Sequence, residues 1–365
     1  MTPTPSVGSA DSQWCGGLCH KPLRQLVDWA SCVCQAVALV VLGERWADFF
    51  RDRGLDARSL TANRLTGGEV NDNWRVSRSD GAEWVLRHYQ RTVDADELAC
   101  ELAAVDKLAR SGFPTPAPVP ATCKDGERRL WDVMDGRPAA LFTFVRGRHP
   151  VQRPGGYGSM DLRAGERAAR AAAQMHISLM HTELPGSRSP ERDPWRQIGA
   201  FLDGDLPADP LFADLRDPLR QVHARLMPIY QEPGAVPAGL IHNDITPLNI
   251  LLGDQDEIVA LLDFDDCAQT FLAYDLGAII STFGKDEERQ LDRGRVSRLI
   301  AAYESVRLFT PTERAVLPDL LTAHAGAQAV QVITHWIRSG RTNISATDSY
   351  SALDFLELSE RPLSP

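Results

Sequence analysis

Between Gly239 and Asp266 the chain reads GLIHNDITPLNILLGDQDEIVALLDFDD, which sets out His242-x-Asp244, then Asn249, then Asp263-Phe264-Asp265-Asp266. Phosphoryl transfer asks for side chains of these types. A carboxylate orients a hydroxyl and accepts its proton, and hard oxygen ligands hold Mg²⁺ against phosphates. Asp244 suits the first task; Asn249 and Asp263 suit the second. Asp265 and Asp266 could assist the metal, face the acceptor, or simply be solvated. A lone His-x-Asp mostly caps a turn, so the weight lies on the whole constellation.

The spacing carries its own geometry. Ile250-Leu251-Leu252, a turn at Gly253-Asp254-Gln255-Asp256, and Ile258 to Leu262 read as a short hairpin. A loop ending at Asn249 and continued by that hairpin returns the chain, so Asp263 lies beside Asn249.

The elements around this stretch fall into two textures. From Leu60, short alternating runs predict strands at Asn73 to Val76 and Glu83 to Tyr89, joined by a tight turn at Ser79-Asp80-Gly81. A helix follows, capped by Asp94, with Leu98, Leu102, Val105 and Leu108 on one face and a stop at Ser111-Gly112. Two further strands, at Arg129 to Asp132 and Ala139 to Val145, complete a mostly antiparallel sheet. Beyond it, helices fit Gly165 to Thr182, Pro194 to Leu202, Pro210 to Ile229, Gln290 to Arg307 and Pro311 to Ser339.

The chain is therefore α+β. A small antiparallel-sheet lobe with one helix precedes a larger, mostly helical lobe. The expected division is an extension over residues 1–58, a nucleotide lobe over 59–146 and a catalytic lobe over 147–365.

Composition narrows the function classes. With 365 residues, 43% of them hydrophobic, the chain can bury a large core. Its net charge of −10 disfavours nucleic acid and anionic membranes as partners and mildly favours cationic substrates. Seven cysteines lack any disulfide-framework spacing and the N-terminus lacks a signal-peptide pattern, which together suggest a reducing cytoplasm. Cys15, Cys19, His20, Cys32 and Cys34 match no common zinc spacing and read as buried or free thiols. Trp29 to Leu42 is apolar but too short to span a bilayer, and reads as helix. Met1 to Pro22 should be poorly ordered.

HNDITPLN followed by LLDFDD resembles the aminoglycoside phosphotransferase and choline kinase superfamily, relatives of protein kinases that include type II homoserine kinases. The likeness runs from about Leu65 over most of the remaining chain and implies a protein-kinase-like bilobal fold and an ATP- and Mg²⁺-dependent kinase. On that resemblance, GGEVNDNWRV with Gly67 and Gly68 is the nucleotide loop. Arg87 is the phosphate contact, paired to Glu101, with Glu97 as the alternative. Phe142 and Phe144 lie at the hinge that meets adenine, His242 fixes the loop backbone, and Asp275 of YDLG braces the loop from beneath.

The departures are Arg87 where the family more often has Lys, a loop without a full GxGxxG, and the absence of HRD, DFG and APE segments. The acceptor is a small-molecule hydroxyl, of an amino alcohol or amino acid such as homoserine or of an aminoglycoside-like product, or else a Ser or Thr of a peptide. The late helix AVQVITHWIRSG and the spacing of DFDD to AYDLG look more like the homoserine-kinase branch. A non-catalytic nucleotide-binding scaffold is the remaining reading, suggested by Arg87.

Overall fold

A computed structural model describes residues 40–41, 46–65, 71–89, 93–122, 128–150, 161–204, 212–232, 234–340 and 349–363. The first lobe holds β1 (Val40–Val41), α1 (Ala47–Arg51), β2 (Leu60–Arg64), β3 (Asp72–Arg78), β4 (Glu83–His88), α2 (Ala95–Arg110), β5 (Ala121–Thr122), β6 (Arg128–Arg129), β7 (Trp131–Met134) and β8 (Arg137–Thr143). Six of these strands form one antiparallel sheet in the order β1-β2-β3-β4-β8-β7. The turn from β3 to β4 closes at Gly81, whose φ of 90° needs glycine.

The expected helix over Trp29 to Leu42 does not reach its end. Val40 and Val41 pair with Ala62 and Thr61 as an edge strand, where two β-branched side chains are better placed than in a helix. The rest of that stretch, the cysteines before it and the Gly67-Gly68 pair lie outside the described residues. Phe49 and Phe50 of α1 join Leu60, Val76, Leu86, Ala139 and Leu141 in one apolar cluster under the sheet.

Helix α2 starts as expected. The Asp94 side chain accepts from the backbone N–H of Asp96 and Glu97. Leu98 and Leu102 pack with Tyr89 and Ala140, while Cys100, Ala104, Val105 and Leu108 join the core of the second lobe. The helix therefore belongs to both lobes.

That second lobe is built on α3 (Leu162–Leu179), α4 (Pro194–Asp203), α5 (Ala213–Gln231), α6 (Asp275–Phe283), α7 (Arg293–Glu304), α8 (Pro311–Arg338) and α9 (Tyr350–Glu360). Inserted among them are β9 (Ala238–Ile241), β10 (Ile250–Leu252), β11 (Ile258–Leu261) and β12 (Ala268–Phe271). The β10–β11 hairpin matches the expectation. The antiparallel β9–β12 pair, with Ile241 opposite Ala268, was not foreseen. Pro311 at the first turn and a reciprocal Thr310–Glu313 capping box start α8, and Trp336 near its end is buried in the core. Among the described residues no helix is long and apolar enough to cross a membrane.

Helix α8 crosses α6 so closely that a Cβ on Gly277 would stand 2.3 Å from the His324 ring. Burial pushes the His324 imidazole down from 6.5 to about 4, with Asp275 opposing the shift. The unfolded chain therefore binds a proton between these values that the folded chain does not, and stability is lost as pH falls through that window. Acidification from pH 7 to 5 is expected to remove about 2 kcal/mol through this group. Urea unfolding of wild type against His324→Met across that range checks it, because the variant lacks this part of the slope.

Candidate active site

Two short ladders frame the residues singled out above. Pairing of Ile250 with Leu261, and the Leu262 N–H donated to the Asn249 carbonyl at 2.8 Å, bring Asn249 alongside Asp263. The β9–β12 pair does the same for the other ends, setting His242 next to Cys267. Asn243 and Asp263 both adopt left-handed backbone, with φ of 67° and 64°, a conformation that Asn and Asp tolerate better than most residues.

Asp275, fully buried, lies beneath this loop. Its carboxylate accepts from the backbone N–H of His242 at 2.9 Å and of Asn243 at 2.6 Å, and from His176 Nε2 at 2.9 Å. Burial alone would raise this carboxyl, but the His176 hydrogen bond and charge and the neighbouring His242 bring it below its ordinary value. The chain of contacts continues outward. His176 Nδ1 meets the Tyr303 hydroxyl at 2.7 Å, Arg307 donates to that hydroxyl at 3.0 Å, and Arg307 is paired with buried Glu313 of the α8 capping box. His242 Nε2 bonds the Leu262 carbonyl at 2.8 Å while its Nδ1 accepts the Asp244 N–H at 3.3 Å, so one ring ties the loop to the strand preceding Asp263.

Within the loop, Asn249 Nδ2 donates to the Asp244 carboxylate at 2.7 Å and to its carbonyl at 2.9 Å. That leaves Asn249 Oδ1 as the oxygen this amide can offer a cation. Burial pushes the Asp244 carboxyl up to about 6, helped by Asp266 and Asp263 and opposed by His242. Such a group is ionised at neutral pH yet more basic than an ordinary carboxylate.

Arg87 reaches across from the sheet. Its Nη2 lies 2.6 Å from Asp263 Oδ1 and 3.1 Å from Asp265 Oδ2, so one cationic nitrogen sits between two carboxylates. Burial would raise Asp263, but the Arg87 guanidinium holds it below its ordinary value. Asn71, at the start of β3, donates its side-chain amide to Asp265. Asn249 Oδ1, Asp263 and Asp265 are oxygen donors of the type that hard divalent cations take.

The expected pair of Arg87 with Glu101 is not formed, nor is the alternative with Glu97. Glu101 Oε1 accepts from the Tyr89 hydroxyl at 3.1 Å and its Oε2 lies 3.4 Å from Arg188 Nη1. Burial, reinforced by Asp265, pushes the Glu101 carboxyl up to about 8. Glu97 is held by Arg192 at 3.3 Å, and Arg192 also reaches Asp266 at 2.9 Å. Arg87 instead bridges two carboxylates of the DFDD loop, while Glu101 is engaged by Tyr89 and Arg188. Neither Arg188 nor Arg192 was anticipated, since both lie between helices with no periodicity to mark them.

The hinge residues sit at the lobe junction. Phe142 pairs with Val85 on β4, and the Phe144 N–H points to the Glu83 carbonyl at 3.3 Å. Gly147, where the chain crosses over, lies so close to the β10–β11 hairpin that a Cβ would come within 2.9 Å of Leu251 and Val259.

Comparison with known proteins decides the family: residues 61–309 match the profile of APH, described as a phosphotransferase enzyme family. The chain belongs to the APH family. It is an ATP-dependent kinase of small-molecule hydroxyl acceptors. A homoserine kinase of Gluconacetobacter diazotrophicus is 30% identical over 285 residues, covering 78% of this chain and 84% of that one. One from Sinorhizobium medicae is 31% identical over 271 residues, covering 73% and 77%. Among solved structures, a microcompartment-associated aminopropanol kinase shares the fold with a TM-score of 0.58 at 22% identity, over 83% of this chain and 92% of that one. The choline kinase of Streptococcus pneumoniae gives 0.51 at 13%, over 82% and 92%.

Removing the brace beneath the loop should be costly. Asp275→Ala strands two backbone N–H groups and His176 without their acceptor, and is expected to lower stability by about 3 kcal/mol or more, measured by urea unfolding. Asp275→Asn, which keeps one acceptor oxygen, should lose less.

Proposed function

We propose that this APH-family kinase transfers the γ-phosphoryl group of Mg²⁺-ATP to the hydroxyl of a small amino acid or amino alcohol, with homoserine the leading candidate. The observation that carries the reading is the Asp244 carboxylate held by Asn249 beside Asp263 and Asp265, with Arg87 between the last two. The homoserine kinases that match this chain at about 30% identity support the acceptor class.

Asp244 aligns the acceptor hydroxyl and takes its proton as the oxygen attacks the γ-phosphorus; the bond to the β,γ-bridging oxygen breaks and ADP leaves. A carboxyl raised by burial suits that task at neutral pH. Mg²⁺, held by Asn249, Asp263 and Asp265, would supply charge neutralisation on the phosphates. Arg87 supplies a second positive charge, and its planar fork can meet two phosphate oxygens where a lysine would meet them as a point charge. The hinge backbone around Phe142 and Phe144 is the adenine seat in this reading. Asp275 and His242 act on the loop and touch neither substrate.

ADP release by the purified protein with Mg²⁺-ATP and a panel of homoserine, aminopropanol, choline, an aminoglycoside and a Ser-containing peptide tests the proposal. Homoserine or aminopropanol is expected to raise the rate, and Asp263→Ala to lower it about 10²-fold or more. Stimulation by the peptide or the aminoglycoside alone would reject the acceptor class.

A further inference from the structure

Both carboxylates of α2 that face the second lobe are taken by arginines from the segment between α3 and α4. Arg188 is 4% exposed and uses its whole fork. Nε donates to the Cys267 carbonyl at 2.9 Å, and Nη2 to the Asp265 carbonyl. Nη1 donates to the Glu97 carbonyl at 3.0 Å and to Glu101 Oε2 at 3.4 Å. One buried guanidinium thus grips the DFDD loop on both sides of Asp266 and ties it to α2. A lysine at this place could meet only part of that set.

The segment is shaped for the purpose. Gly186 has φ of 68°, and a Cβ there would stand 2.2 Å from the Asp96 carbonyl, so only glycine lets this turn press against the first turn of α2. The Ser189 N–H then donates to Glu97 Oε1 at 3.0 Å. Arg192, one helical turn further along, clips Asp266 to Glu97. The positive charges also offset the repulsion among Asp263, Asp265 and Asp266, which lie within four residues of one another.

We propose that Arg188 is the positioning residue of the metal-binding loop: by bridging α2 to the carbonyls of Asp265 and Cys267, it fixes where Asp263 and Asp265 present their carboxylates. Glu101, expected as the partner of Arg87, is held here by Arg188 instead, and Arg87 pairs with Asp263 and Asp265. The assignment rests on the kinase reading above, in which that loop holds Mg²⁺.

The test is binding of a fluorescent ADP analogue to the full-length protein as a function of Mg²⁺, alongside ADP release and thermal unfolding. For Arg188→Lys, the Mg²⁺ concentration at half-saturation is expected to rise about 10- to 100-fold, with nucleotide binding and the acceptor KM recovering at saturating Mg²⁺. Added guanidinium should restore part of the Mg²⁺ response to Arg188→Ala. Gly186→Ala, which displaces the turn without touching the arginine, should shift the Mg²⁺ requirement in the same direction, and it supplies the reading if the Arg188 variants do not fold. Lower thermal stability with an unchanged Mg²⁺ requirement in the folded variants would overturn the proposal. Wild type that binds no nucleotide in the presence of Mg²⁺ would instead remove the kinase reading itself.

Discussion

The buried Asp275 carboxylate is the contact on which the site's geometry turns. It receives two consecutive backbone N–H groups, from His242 and Asn243, and the His176 ring, and Asp275, His176 and His242 have no exposure to solvent. Two adjacent N–H groups can converge on one carboxylate only if the chain turns sharply between them, and the left-handed backbone of Asn243 is that turn. From there the positions of Asp244 and Asn249 follow. The far side of the same contact runs through Tyr303 and Arg307 to Glu313 at the start of α8. The longest described helix is thereby coupled to the loop through buried polar groups whose partners are met, which favours a single arrangement.

Charge balance above the loop follows a second logic. Asp244, Asp263, Asp265 and Asp266 crowd into 23 residues, and two arginines answer them: Arg87 from β4 on Asp263 and Asp265, and Arg192 from the segment before α4 on Asp266. Buried or half-buried acids of like sign would raise one another's proton affinity, as Asp244 shows, unless cations are placed among them. The Arg87 guanidinium holds the Asp263 carboxyl below its ordinary value.

Much of this was legible in the sequence because the informative residues are close in the chain. His242, Asp244, Asn249 and Asp263 are linked by one hairpin, so spacing alone fixes their meeting. Asp94 and the leucines of α2 were readable because caps and helical periodicity are local signals. What failed was long-range. The β9–β12 ladder joins AGLI to AQTF across 26 intervening residues, with the β10–β11 hairpin between them, so no local turn signal marks the two as partners. Arg87 changed partner because the fold gives Glu101 to Tyr89 and Arg188 and brings Asp263 and Asp265 to Arg87, contacts with no local signal. Arg188 and Arg192 gave no pattern at all. The edge strand at Val40–Val41 was hidden in an apolar run whose length suggested a helix.

Under the proposed function, Asp244 takes the proton from an acceptor hydroxyl while the rest of the site holds Mg²⁺-ATP. Mass spectrometry of the acceptor after incubation with Mg²⁺-ATP, wild type against Asp244→Asn, with nucleotide affinity measured in parallel, tests it most directly. Expected are a phosphorylated acceptor with wild type, a turnover about 10² to 10⁴ times slower in the variant, and nucleotide affinity retained. A variant that phosphorylates the acceptor at the wild-type rate would contradict it.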